Sequence, residues 1–338
     1  MNATTPHIEL VCPAGNLPSL KQAVDAGADA VYIGFRDATN ARHFAGLNFD
    51  ADTMAQGIDY ARRRGRKVFL ALNTYPQPAG WPQWQRAVDR AAALQVDALI
   101  VADMGVLDYA SERWPDLRLH LSVQASATNA AAIAFYHEQF NIQRVVIPRV
   151  LSLRQVARLV ENSPVAIEVF GFGSLCVMVE GRCLLSSYAT GDSPNTYGAC
   201  SPAKDVEWRE INGHLETRLG GVLIDRHGPG EQAGYPTLCK GRFQAGGHTY
   251  YALEEPTSLN TLGLLPQLLA AGVRAIKLEG RQRSPAYIGR VTRVWRAALD
   301  ALHRDPEQFR PDDQWLTELG RVSEGAQTTL GAYHRPWQ

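Results

Sequence analysis

Four of the five cysteines in this 338-residue chain, Cys176, Cys183, Cys200 and Cys239, follow the spacing C-x6-C-x16-C-x38-C. Four thiolates can hold a tetrahedral zinc ion or a cubane iron-sulfur cluster. Structural zinc sites favour ligand pairs separated by two to four residues, and this sequence has no such cysteine pair. Wide, unequal spacing suits a cluster, whose corners lie apart and draw ligands from several directions. Gly173, Gly181, Gly198 and Gly241 flank the thiols, where they would let backbone amides approach sulfur. The plain alternative is four unrelated core cysteines. Core residues belong on periodic apolar elements, however, and these four occupy the least periodic part of the chain. Cys12, in "ELVCPAG", reads as an unligated strand residue.

The elements that must position those thiols form a repeat. Short β-rich runs ("HIELVCPAG", "ADAVYIGF", "KVFLALNTY", "VDALIVAD", "RLHLSVQA", "QRVVIPRV", "VAIEVFGFG", "VRAIKLEG") alternate with segments of helical period. The runs are almost continuously apolar, as strands covered on both faces are. Several helices end at Gly ("DAG", "RRRG", "AAG"), a left-handed cap. Eight strand-helix units predict an α/β fold, a TIM-type (β/α) barrel, with a cysteine-bearing insertion after the seventh strand. An open doubly wound sheet is the alternative, but no Gly-rich dinucleotide fingerprint follows the first strand. The chain reads as a single barrel domain over 1–338. Its insertion spans about 176–252, and a long helix plus a polar tail occupies 284–338.

Barrel enzymes place their chemistry at the C-terminal ends of the strands. That rule gathers Cys12, Asn40, Arg42, His43, Asn73, Asp103, Gln124, Ser126, Arg149, Glu168, Glu279 and Arg281 at one mouth. Arg42, His43, Arg149 and Arg281 are candidates to grip a carboxylate, since Arg meets planar carboxylates with two prongs. Asn73 and Gln124 join Arg42 and Arg281 as substrate-binding candidates. Glu168 and Asp103 are the acid-base candidates, with Arg149 and His43 beside them.

Composition narrows the class. Lys plus Arg equals Asp plus Glu, 34 against 34, so no global field attracts nucleic acid or an anionic membrane. No apolar run reaches about 18 residues, which argues against a membrane span. The opening "MNATTPHIELVCPAG" lacks the features of a secretory signal. Few cysteines and no leader point to a cytoplasmic protein with reduced thiols. The basic run "ARRRGRK", residues 61–67, suits a helix C-terminus better than an RNA contact. Arg290, Arg293 and Arg296 form a stripe that reads as solvated surface. Trp81, Trp84 and Trp295 read as packing residues between helices and barrel.

The stretch "EVFGFGSLCVMVEGRCLLS" resembles the signature of the collagenase-like peptidase family, with Glu168, Phe170, Gly173, Leu175, Cys176, Gly181, Cys183 and Ser186 in register. The opening "ELVCPAGNLPSLKQAVDAGADAVYIG" and the strand "IKLEGR" extend the likeness over nearly the whole barrel. Phe172, Ser174 and Glu180 depart from the common pattern. With "NARHFAGLNF" and "GDSPNTYGACSPA" they are similar to one branch, which serves ubiquinone biosynthesis. The resemblance implies a 4Fe-4S cluster on Cys176, Cys183, Cys200 and Cys239, and a related barrel as heterodimeric partner. It further implies hydroxylation of a quinone precursor ring without dioxygen, the oxygen coming from a metabolite such as prephenate. The peptidase label has little support, since neither H-E-x-x-H nor G-x-S-x-G occurs. Two other readings stay open: an RNA-modifying hydroxylase of the same family, and a non-catalytic partner braced by zinc.

Overall fold

The structure is a computed structural model that describes residues 7–42 and 46–335. Strands β1 (Glu9–Pro13), β2 (Ala30–Gly34), β3 (Lys67–Leu72), β4 (Ala98–Val101), β5 (Leu119–Leu121), β6 (Ile142–Val146) and β7 (Ala166–Ser174) stand side by side in parallel. A later strand, Ala275–Leu278, pairs in parallel with both β7 and β1 and closes the ring. Closure settles the choice between barrel and open sheet, and all eight expected runs supply a wall strand.

Side chains alternate across each strand, so each wall residue faces either the lumen or the outer helices. Outward residues such as Leu10, Val31, Leu70 and Val169 belong to the large core shared with the helices. Trp295, wholly buried on the helix Pro285–Arg304, lies so close to β7 that a side chain at Gly171 would strike its ring. Cys12 belongs to this outer layer and receives a contact from Thr292 Oγ1 at 3.4 Å. The helices begin where the sequence offers caps. Asn16, Asp50, Asp103, Asn129, Ser152 and Ser284 each accept a backbone N–H of the first turn.

The lumen carries an apolar layer, including Val11, Tyr32, Phe69 and Ile100. Nearer the N-terminal ends of the strands it becomes ionic. Arg144 bridges Glu9 (2.7 Å) and Glu168 (2.9 Å), and Lys277 meets Glu168 at 2.8 Å. The basic run 61–67 is absorbed locally. Arg63 pairs with Asp59, Arg64 with Asp25, Arg66 with Asp29 and Lys67 with Glu9, while Arg62 donates to helix-end carbonyls.

Beyond β7 the insertion builds its own small sheets. β8 (Val206–Ile211), β9 (His214–Leu219) and β10 (Val222–His227) form an antiparallel meander, and β11 (Arg242–Ala245) with β12 (His248–Tyr251) a hairpin. Asn212 and Gly213, at φ 51° and 75°, make the two-residue turn between β8 and β9. The chain then returns as β13 (Ser258–Asn260), antiparallel to the last residues of β7. β14 (Ala275–Leu278) is the closing strand. No helix among the described residues is long and apolar enough to cross a membrane.

The expectation of a polar tail behind the long helix is corrected. Asp313–Val322 is a helix capped by Asp312, and β15 (Thr328–Thr329) pairs with β13. Tyr333 packs against a cluster of Val146, Phe170, Leu175 and Leu259. Polar composition hid a segment that wedges a few apolar residues into the mouth.

Candidate functional site at the barrel mouth

The mouth is roofed by the insertion, and glycines allow the approach. At Gly181, φ 85°, a Cβ would stand 1.8 Å from the Gln124 carbonyl oxygen, so only glycine seats this loop on the segment after β5. At Gly198, φ 75°, a Cβ would stand 2.3 Å from the Ala41 Cα after β2. The loops bearing Cys176, Cys183 and Cys200 are thereby pressed onto two sides of the rim.

Many polar groups expected to face substrate fasten these loops instead. Arg42 donates to the Gly198 carbonyl, and Ser126 Oγ to the Glu180 carbonyl at 2.5 Å. Asn73 Oδ1 accepts from Ala41 N–H at 3.0 Å and fixes the segment that Gly198 touches. Arg149 meets the Glu180 carboxylate at 3.1 Å and stacks on Phe170 at 3.7 Å. Arg281 is buried and donates to Asn40 Oδ1. Burial, offset by nearby Tyr32 and added to by Arg42, lowers its pKa to about 10. Glu279 accepts from Ser174 N–H at 3.1 Å. Burial would raise its pKa, but Arg42, Arg149 and Arg283 outweigh that and hold it below the ordinary range. The Gln124 Oε1 atom is buried and has no hydrogen-bond partner among the described residues.

Two acid-base candidates change their meaning. Glu168 is not at the C-terminal end of its strand but third in the nine-residue β7, sealed in the ionic layer at 1% exposure. Burial favours its neutral form, yet Lys277 and then Arg144 prevail and hold its pKa at about 2. It is a fixed anion, not a proton carrier. Asp103 does stand at the mouth, but its carboxylate caps the helix Met104–Arg113 through Val106 N–H at 3.0 Å. His43 lies outside the described residues.

The four thiols occupy one region between rim and insertion. Cys176, Cys183 and Cys239 are half-buried and Cys200 is exposed. Cys200 lies within electrostatic reach of each of the other three, and Cys183 of Cys239. Burial pushes the Cys176 and Cys239 thiols up to about 12, reinforced at Cys176 by Glu180, and raises Cys183 in the same direction. Without a bound cation these sulfurs therefore stay protonated, and any metal must displace their protons. Among the described residues no three His, Cys, Asp or Glu side chains are gathered as ligands of a single metal ion.

Sequence reasoning missed Glu180 as the partner of Arg149, visible only as a departure from a pattern. It also missed Lys240, Arg283 and Glu324, which line a cavity of about 770 Å³ beside Cys200. Glu324 lies in the segment taken for a tail, where composition gave no signal.

A parallel eight-stranded barrel roofed by a thiol-bearing insertion defines the class. Comparison with known proteins places it further: the description "Peptidase family U32" matches residues 15–336, and the chain belongs to that family. It is 33% identical over 97% of its length to "Uncharacterized protease MJ0090" of Methanocaldococcus jannaschii, covering 73% of that protein. It is 29% identical to "tRNA hydroxylation protein P1" of Bacillus subtilis, over 93% of this chain and 68% of the relative. Against "tRNA hydroxylation protein P" of Escherichia coli the identity is 31%, over 92% and 71%.

Proposed function

We propose that this chain is the iron-sulfur subunit of a dioxygen-independent hydroxylase that acts on the ring of a ubiquinone precursor, as a UbiU-type protein working with a UbiV-like barrel. One observation carries the reading. Four thiols from three segments, the loop that carries Cys176 and Cys183, the turn at Cys200 and the short helix at Cys239, lie within electrostatic reach of one another at the mouth. The donor set fits a 4Fe-4S cluster: all sulfur, from loops on different sides, with glycine at the seats beside them. Cys176, Cys183, Cys200 and Cys239 would hold it, and such a cluster would supply one-electron transfer. The residues around it give the rest. Arg42 and Arg149 fix the cysteine loops, Glu180 balances Arg149, and the adjoining cavity offers room for an oxygen donor such as prephenate.

Hydroxylation is supported by the family, since relatives are named for it. The same names favour a second reading, in which the hydroxylated substrate is RNA. Purification without air, followed by iron and acid-labile sulfide analysis, tests the cluster. About four of each per chain is expected, and a colourless protein containing zinc would end that part of the proposal. A deletion strain grown without oxygen separates the substrates. Loss of ring-hydroxylated quinone intermediates with unaltered tRNA nucleosides is expected, and the reverse would transfer the activity to RNA.

A further inference from the structure

The cavity of about 770 Å³ lies between the barrel mouth, the insertion and the C-terminal segment. Lys240, on its wall, is more than nine-tenths buried. Its ammonium donates to Ser174 Oγ (3.2 Å), to the Thr257 carbonyl (3.2 Å) and to the carboxylate of Glu324. The other oxygen of Glu324 accepts from Arg283 Nη2 at 3.2 Å. Two cations thus share one carboxylate. Of the other acids on the cavity wall, Asp225 is paired with Arg242, and Glu279 is spread over Arg42, Arg149 and Arg283 and does not cancel the surplus.

We propose that Lys240 and Arg283 form a carboxylate-binding subsite of this cavity, and that Glu324 occupies it as an intramolecular stand-in until a small polycarboxylate displaces it. A buried lysine beside an arginine is costly unless an anion answers both, and among the described residues Glu324 is the carboxylate that does so. Exchange requires little movement. The backbone around Glu324 is fastened by its N–H to Ser258 Oγ (2.9 Å), by Gln327 Nε2 to the Pro256 carbonyl (3.0 Å), and by the pairing of β15 with β13. The side chain, a quarter exposed, can swing alone. A carboxylate ligand then enters where Glu324 leaves, and its second charge meets the surplus. The inference rests on the preceding reading for which ligand arrives in the cell, while the binding itself is independent of turnover.

Calorimetric titration of the full-length protein with malonate, and with citrate as a larger probe, tests this. Apparent affinity scales with the fraction of sites that Glu324 leaves open, so Glu324→Gln should bind malonate about tenfold or more tightly than the unaltered chain. Glu324→Asp, which keeps the charge but shortens its reach, should fall between. Lys240→Met introduced into the Glu324→Gln protein should erase the gain. Equal or weaker binding by both Glu324 variants, at an unaltered melting temperature, overturns the proposal, as does a gain that survives Lys240→Met. Should Glu324→Gln lower the melting temperature, the Asp variant decides by the same rule. Iron content and quinone products are read separately, so failure of either inference is told apart from failure of the other.

Discussion

At the scale of single residues, the mouth shows how a polar side chain can be well placed for chemistry and already engaged. Arg149 was expected to grip substrate. In the structure it neutralises Glu180, whose pKa burial raises against the pull of Arg149, and the pair lies beside Cys176. Gly181 is the sharper test of how the roof is held. Its left-handed backbone and its 1.8 Å Cβ distance from Gln124 leave no room for alanine. Gly181→Ala should lift the Cys176–Cys183 loop, accelerate labelling of Cys176 by a thiol reagent several-fold, and lower the melting temperature. Unaltered labelling would show that the loop is held elsewhere. The cysteines themselves were legible because four thiols in an aperiodic stretch are chemically conspicuous. Glu180, Lys240 and Glu324 were not, because an ion pair joins residues remote in the chain and one charged residue looks like any other.

At the scale of elements, all eight wall strands were legible from continuous apolar runs, and the helices from period and caps. The segment behind the long helix Pro285–Arg304 was not. A two-residue strand, β15, and one partly buried tyrosine leave no periodic trace, yet they complete the mouth. Ending the chain after residue 311 should therefore do more than trim a solvated tail. It removes Tyr333 from the cluster of Val146, Phe170, Leu175 and Leu259, and takes Glu324 from Lys240. Partial burial of one large apolar side chain contributes about 1–2 kcal/mol. A markedly lower unfolding midpoint and new binding of a hydrophobic dye are expected. A midpoint equal to that of the full chain would restore the tail reading.

At the scale of the whole molecule, the lumen holds one layer of alternating charge, Glu9, Arg144, Glu168 and Lys277, beside an apolar layer. Such a layer has a signature in acid. His120 faces it against the Phe69 ring, and burial, aided by Arg144, lowers its pKa from 6.5 to about 3. Between those values only the unfolded chain takes up the proton, so stability contributed by neutral His120 is complete above pH 6.5 and falls as pH drops toward 3. The stability difference between the unaltered protein and His120→Gln should therefore shrink as pH is lowered from 7 to 4. A difference constant with pH would mean that His120 is already charged inside the barrel.

The meander of the insertion leads to a practical end. Its inner turn is packed, since a Cβ at Gly220 would meet the Ala189 carbonyl at 1.8 Å, whereas at Gly213 nothing lies within 4 Å. A six-residue strand is about 20 Å long, which sets the Asn212–Gly213 tip well away from the thiols. A short epitope or a fluorophore-bearing loop spliced at that tip would report on the assembled protein without touching the rim, and would make this hairpin the natural handle for capturing whatever the roof binds.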